Sequence, residues 1–256
     1  MTATRTEDYW MEHSNVRVPP LLGARDAHVW RIQMDVAHDV DLLRSLLPSE
    51  EQARADRFVS ALHTRRFIVA YGVMRQILAG YLGASATELR FGVGDHGKPF
   101  LEWPTYNAPP IEFNLSHSGS VALLAIARGR AVGVDVEEWD DRVRHLAVSE
   151  RFFSPAERDA LRTLDADGRV IDGFFTAWSR KEAYLKATGR GITRGLHHFD
   201  VSLHPDAPAV LVADRLDVDA PSRWTMRALA PRRGYSAAVV VESPLSTLLL
   251  FEVAVG

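Results

Sequence analysis

The chain has no cysteine. Disulfide staples, thiolate metal sites and a cysteine nucleophile are excluded together. Long apolar runs are also missing. The clearest, Val121 to Ala127 and Ala237 to Val241, fall far short of the roughly 20 residues a membrane-spanning helix needs. Nor is there an excess of one charge: 30 Lys+Arg stand against 33 Asp+Glu, a formal net charge of −3. Such a balance gives no general attraction to nucleic acid or an anionic membrane, so any basic site must be local. Met1 to Pro20 carries early acids, Glu7 and Asp8, and no apolar stretch, so it does not read as a secretory signal. The expectation is a cytoplasmic protein without nucleic-acid or membrane partners.

What is present is ordinary for a soluble globular protein: 46% hydrophobic, 25% charged and 9% aromatic over 256 residues. That length suffices for one large domain or two smaller ones, with a real core. Residues 1–27 read as a leader of weak structure broken at Pro19-Pro20. His28 to Val36 alternates as a strand. Ser49 reads as an N-cap, with Gln52 at the capping-box position, of a helical pattern that runs through Phe58, Phe67, Val69, Tyr71, Met74 and Leu78 toward Gly83. A glycine turn (Gly92, Gly94, Gly97) and a proline-rich loop (Trp103 to Pro110) lead into a strand at Ile111 to Leu115. Val121–Ala127 and Ala131–Val136, joined by Arg128-Gly129-Arg130, read as a hairpin.

The second part repeats this plan, with helices near Pro155–Leu164 and Phe174–Thr188 and strands near Trp224–Ala230, Tyr235–Val241 and Leu248–Val255. Laying Ala70-Tyr71 over Ala177-Trp178 brings Leu78 onto Leu185, and Asp35 falls 100 residues before Asp135. The fold class is therefore read as α+β, with two similar halves at 28–131 and 132–256; two unrelated α+β lobes would give much the same pattern.

Four local patterns carry chemistry. In Gly133-Val134-Asp135-Val136-Glu137, strand alternation sends both valines to one face and both acids to the other, roughly 7 Å apart at Cα. Carboxylates held so suit a hard divalent cation, although an edge strand with solvated acids has the same pattern. On a helix through Phe174 to Lys186, the residues Trp178, Glu182 and Lys186 share one face at i, i+4 spacing; a surface Glu–Lys pair would look identical. Phe113-Asn114-Leu115-Ser116-His117-Ser118-Gly119 offers hydroxyls, an imidazole and backbone amides to an anion, or an ordinary surface turn. Gly97-Lys98-Pro99 sets a lysine on a stiff turn.

Taken together and in this order, these four motifs resemble the surfactin-type 4′-phosphopantetheinyl transferases over about residues 28 to 245. Phe152-Phe153-Ser154-Pro155-Ala156-Glu157 resembles the stretch before that family's last motif. The resemblance implies a pseudo-twofold monomer with coenzyme A in the cleft between two α+β halves. It also implies transfer of phosphopantetheine to a serine of acyl or peptidyl carrier proteins of nonribosomal peptide, polyketide or fatty-acid synthesis. By the same resemblance, Asp135, Glu137 and Glu182 hold Mg²⁺ with the coenzyme A pyrophosphate, Lys98 and Lys186 neutralise phosphate, and His117 with Ser116 holds the 3′-phosphate or the pyrophosphate. Arg54 and Arg66 look like the family's contacts to the adenosine 3′-phosphate, while one family position that is often basic is Glu51 here. Glu182, Lys186 and His117 form the implied catalytic group, Glu182 being the candidate base, directly or through a water.

Two other classes of protein share parts of this pattern. A serine hydrolase built on Ser116 and His117 is disfavoured, because adjacent residues on an extended chain point to opposite faces. The G-x-S-x-G elbow is absent as well, since Gly234-Tyr235-Ser236 is followed by alanines. A non-catalytic module that binds a nucleotide or carrier protein would need the cleft but not the three acids.

Overall fold

A computed structural model describes residues 9–13, 15–102, 109–191 and 195–254. Most of the Trp103–Pro110 loop, the acids Glu7 and Asp8, and Val255 lie outside the described residues. Along the chain run β1 (Met11–His13), β2 (Asp26–Gln33), α1 (Val40–Ser45), α2 (Ser49–Asp56), α3 (Ala61–Leu82), β3 (Phe91–Val93), β4 (Pro99–Leu101), β5 (Ile111–Ser118), β6 (Val121–Arg128) and β7 (Val132–Glu138). There follow α4 (His145–Phe152), α5 (Pro155–Ala166), α6 (Val170–Thr188), β8 (Phe199–Val201), β9 (Leu211–Asp214), α7 (Ala220–Arg223), β10 (Trp224–Leu229), β11 (Tyr235–Glu242) and β12 (Thr247–Val253). The α+β class holds.

Alternation along the strands explains the layers. In β6, Val121, Leu123, Ala125 and Ala127 enter a core between two sheets, while Ala122, Leu124 and Ile126 enter a second core beneath α3. In β11, Ala237, Val239 and Val241 face the inter-sheet core, and Ala238 and Val240 face a third core that contains α6. Strands buried on both faces need near-continuous apolar sequence, which is why these two runs stand out. One sheet has five strands in the order β1-β12-β2-β6-β5, the other three in the order β10-β11-β7. The last strand, β12, thus returns to the sheet of the first half, lying parallel between β1 and β2.

Four local expectations are corrected. Val121–Ala127 and Ala131–Val136 do not form a hairpin: β6 pairs with β5 and β2, and β7 pairs with β11. The tight hairpin is β5–β6, turned at Gly119 with φ 53°, where a residue without Cβ is favoured. Arg128-Gly129-Arg130 instead carries the chain from one sheet to the other, and the Arg130 guanidinium holds it by donating to the carbonyls of Asp26, Glu242 and Pro244. The long helical pattern is two helices, α2 and α3, separated by a corner that Thr64 ties by donating to the Ser60 carbonyl. Ser49 is the first residue of α2 and not its cap; Pro48 precedes it, and Gln52 donates its side-chain amide to the Leu47 carbonyl. The leader, read as weakly structured, is tied down at residues 10–13. Met11–His13 pairs with β12, and Trp10 is buried, with Arg31 stacked 4.8 Å from its ring.

A polar cluster crosses the first core. Tyr81 Oη accepts from Trp30 Nε1 at 3.0 Å and lies 2.6 Å from His28 Nδ1. The His28 Nε2 is buried without a hydrogen-bond partner. Burial lowers the His28 pKa from 6.5 to about 4, because a charged imidazolium there would lose its hydration. The unfolded chain takes up this proton near pH 6.5 and the folded chain only near pH 4, so stability falls as pH drops between those values. The expected loss is about 3 kcal/mol. Urea midpoints of wild type and His28→Gln at pH 7 and pH 4.5 test it: the variant should show the smaller drop.

Candidate active site

The site forms where two sheet edges meet. β5 ends one sheet and β7 the other, and side chains rather than a backbone ladder join them. Asn114, Ser116 and Ser118 occupy alternate positions of β5. Asn114 Oδ1 accepts from Val134 N at 2.8 Å, Ser116 Oγ donates to Asp135 Oδ1 at 2.9 Å, and Ser118 Oγ accepts from Glu138 N at 3.0 Å. Sequence reasoning assigned this motif to an anion and missed the stitching by Asn114 and Ser118; the signal was a period of two in short polar residues on an apolar strand. Ser116 is committed to this seam, which leaves no Ser116–His117 pair and removes the hydrolase reading.

Val132, Val134 and Val136 fill the inter-sheet core, so the opposite face of β7 presents Gly133, Asp135 and Glu137 to α6. A Cβ at Gly133 would lie 2.2 Å from both the Ala183 carbonyl oxygen and the Ala187 nitrogen. Only glycine allows the α6 backbone so close. That approach sets the height at which Glu182 and Lys186 stand over the strand.

Asp135 is 3% exposed. Its Oδ1 meets Lys186 Nζ at 2.5 Å as well as Ser116, and its Oδ2 is buried without a hydrogen-bond partner. Burial pushes its carboxyl above the ordinary range, against the pull of Lys186. Glu137 is raised to about 7, by burial first and then by the charge of Asp135, with a smaller push from Glu182. Glu182 is raised for the same two leading reasons, burial and Asp135. The three acids therefore repel one another across the strand–helix interface. Among the described residues no group of three His, Cys, Asp or Glu side chains is assembled as a metal centre.

Beside the acids opens a cavity of about 250 Å³, lined among others by His96, Lys98, Asn114, Glu182 and Lys186. Lys98 does not project freely: its ammonium donates to the carbonyls of Val132 at 2.9 Å and Ala187 at 3.4 Å. It uses the carbonyl-rich end of α6 and lashes the β3–β4 hairpin to the second half. Burial lowers its pKa.

The other predicted cations divide. Arg54 lies over the rings of Phe67 and Tyr71, 5.1 and 5.8 Å from their centroids. The His117 pKa is lowered by burial and by the charges of Lys186 and Arg54. Arg66 is held by Asp35 through two hydrogen bonds of 2.8 and 2.5 Å, so its fork is already filled. Glu51 is explained by packing: it grips the buried Arg75 at 2.9 and 3.1 Å, and that guanidinium rests on Phe91. An acid at this position supports the core of the first half. In the Trp178–Ala183 motif, Arg180 and Lys181 are buried among carbonyls of 196–207, which sequence alone did not reveal.

An enclosed Asp135 carboxylate flanked by Glu137 and Glu182, with Lys186 bound to it and Lys98 on the same cavity wall, suits an enzyme that handles a phosphate anhydride. Residues 31–128 match the model of the 4′-phosphopantetheinyl transferase N-terminal region, and residues 131–240 match the 4′-phosphopantetheinyl transferase superfamily. The 4′-phosphopantetheinyl transferase HetI of Nostoc is 37% identical over 90% of this chain and 94% of its own length. The 4′-phosphopantetheinyl transferase psf-1 of Bacillus pumilus is 34% identical over 80% and 83%, and Sfp of Bacillus subtilis is 28% identical over 63% and 69%. The chain belongs to the 4′-phosphopantetheinyl transferase family.

Proposed function

We propose that this phosphopantetheinyl transferase moves the 4′-phosphopantetheine arm of coenzyme A to a serine of acyl or peptidyl carrier proteins with a divalent cation, Mg²⁺, held by Asp135, Glu137 and Glu182. One observation carries the metal assignment: Asp135 Oδ2 is buried and unpartnered beside two carboxylates whose pKa values its charge raises. Hard oxygen donors in mutual repulsion fit a dication, which would relieve the strain among them. The metal would supply charge neutralisation for the diphosphate. The two α+β halves with coenzyme A between them, and action as a monomer serving nonribosomal peptide, polyketide or fatty-acid synthesis, belong to the same proposal. Its support is the seam between β5 and β7, with α3 packed on one sheet and α6 on the other.

In the reaction the carrier serine Oγ attacks the phosphorus on the pantetheine side, and the bond to the oxygen of departing 3′,5′-ADP breaks. Glu182, fixed on α6 at the cavity wall, takes the serine proton, directly or through a water. Lys186 reaches the phosphates from the same wall. Lys98 keeps one of three N–H donors for them. His117 and Arg54 stand on the first half's side for the 3′-phosphate.

The decisive test is incubation with coenzyme A, Mg²⁺ and an apo carrier protein, followed by intact mass. A gain of one phosphopantetheine, abolished by EDTA and restored by Mg²⁺, is expected; transfer unaffected by EDTA would sink the metal assignment. Steady-state kinetics separate the arginines. Arg54→Ala should raise KM for coenzyme A about tenfold with little change in kcat, the worth of one hydrogen bond to a charged group. Arg66→Ala should have the smaller effect, because Asp35 already occupies its guanidinium.

A further inference from the structure

Lys186 already fills the place of a cation on the acid that the metal assignment needs. Its Nζ lies 2.5 Å from Asp135 Oδ1 and 2.9 Å from Ser116 Oγ, and that hydroxyl donates to the same Oδ1. The carboxylate is almost fully enclosed, while the Lys186 side chain keeps 29% of its exposure and lines the cavity with Glu182 and Lys98. The close contact of Gly133 with Ala183 and Ala187 fixes α6 against β7. Any change in the Lys186–Asp135 distance therefore comes from the four-carbon side chain and not from the helix.

We propose that Lys186 is a built-in competitor for the divalent cation at Asp135. Its ammonium leaves the carboxylate and turns into the cavity, toward the diphosphate, when the cation binds. The inference rests on Asp135 being a metal ligand. Two cations on one enclosed carboxylate repel each other strongly where water is scarce, and the lysine is the partner that has somewhere to go. Metal and phosphate binding are then coupled through one side chain, since what displaces Lys186 also delivers it.

Mn²⁺ titration of the full chain, read by loss of the free-ion paramagnetic resonance signal, tests the competition. Lys186→Met should bind Mn²⁺ about tenfold more tightly than wild type, as expected when a competing charge is removed from a desolvated carboxylate. Lys98→Met removes the same charge from the same cavity, but its ammonium is tied to carbonyls, and it should change affinity less than about twofold. In the unaltered chain, the ¹H–¹⁵N ammonium signal of Lys186 should be sharp and should broaden or shift on addition of Mg²⁺. Equal Mn²⁺ affinity in wild type and Lys186→Met, an equal gain in Lys98→Met, or an ammonium signal unmoved by saturating Mg²⁺ would each overturn the competition while leaving the metal assignment standing. Absence of Mn²⁺ binding in all three proteins would remove the metal assignment and the competition with it.

Discussion

Asp135→Asn is expected to lower phosphopantetheine transfer by roughly 10³-fold or more, the scale on which a lost metal ligand or preorganised charge reduces catalysis. The substitution keeps the volume of the side chain and its place in the strand, and Asn can still accept from Ser116. It removes the charge that faces Lys186 and the buried oxygen that has no other partner. Glu182→Gln should act comparably through the helix side of the site. Holo-carrier formation by intact mass, set beside the thermal midpoint of each variant, separates loss of chemistry from loss of fold. Near-normal turnover of either variant at saturating Mg²⁺ would remove that residue from the proposed site.

Lys181→Met should produce the largest loss of stability, about 3–5 kcal/mol, because it strips one partner from a buried ion pair. Lys181 is 0% exposed. Its ammonium bonds Glu157 at 2.8 Å and the carbonyls of Leu196 and Phe199 at 2.8 and 2.6 Å, and it sits 4.3 Å from the Phe199 ring centroid. Burial pushes the Glu157 carboxyl up and the Lys181 ammonium down, so each depends on the other to remain charged. Glu157 also closes the capping box of α5 with Ser154 and accepts from Val201 N at 2.8 Å. One carboxylate thus joins the start of α5, the middle of α6 and β8. Urea unfolding should show the double variant Glu157→Gln with Lys181→Met to be more stable than Lys181→Met alone, since no lone charge remains in the core. If the single variant lost less than about 1 kcal/mol, within the range of an exposed pair, the pair would be structurally dispensable.

These two lysines of one motif show how far sequence reading went. Lys186 and Glu182 were placed on one helix face by their spacing, and the structure keeps both on the wall of one cavity. Lys181, one residue before Glu182, is fully enclosed. Nothing in the local sequence marks the carbonyls of Leu196 and Phe199 that receive it. Arg66 and Lys98 likewise make contacts that the local sequence does not mark. Their partners, Asp35, Val132 and Ala187, are 31, 34 and 89 residues away. Glu51 appeared to depart from the family pattern until Arg75, 24 residues on, supplied its purpose.

Alone, the amino-acid order determined what depends on side-chain parity and spacing: valines to one side of β7 and acids to the other, Glu182 and Lys186 on one helix face, and the family to which the chain belongs. Those are properties of a few consecutive residues, fixed by the two-residue repeat of strands and the 3.6-residue turn of helices. Tertiary structure decided that β6 and β7 go to different sheets, that β12 returns to the first, and which cations are spent on the fold and which still face the cavity. Such outcomes turn on hydrogen bonds and charges brought together from distant parts of the chain, and their strength depends on how much water the packed layers exclude.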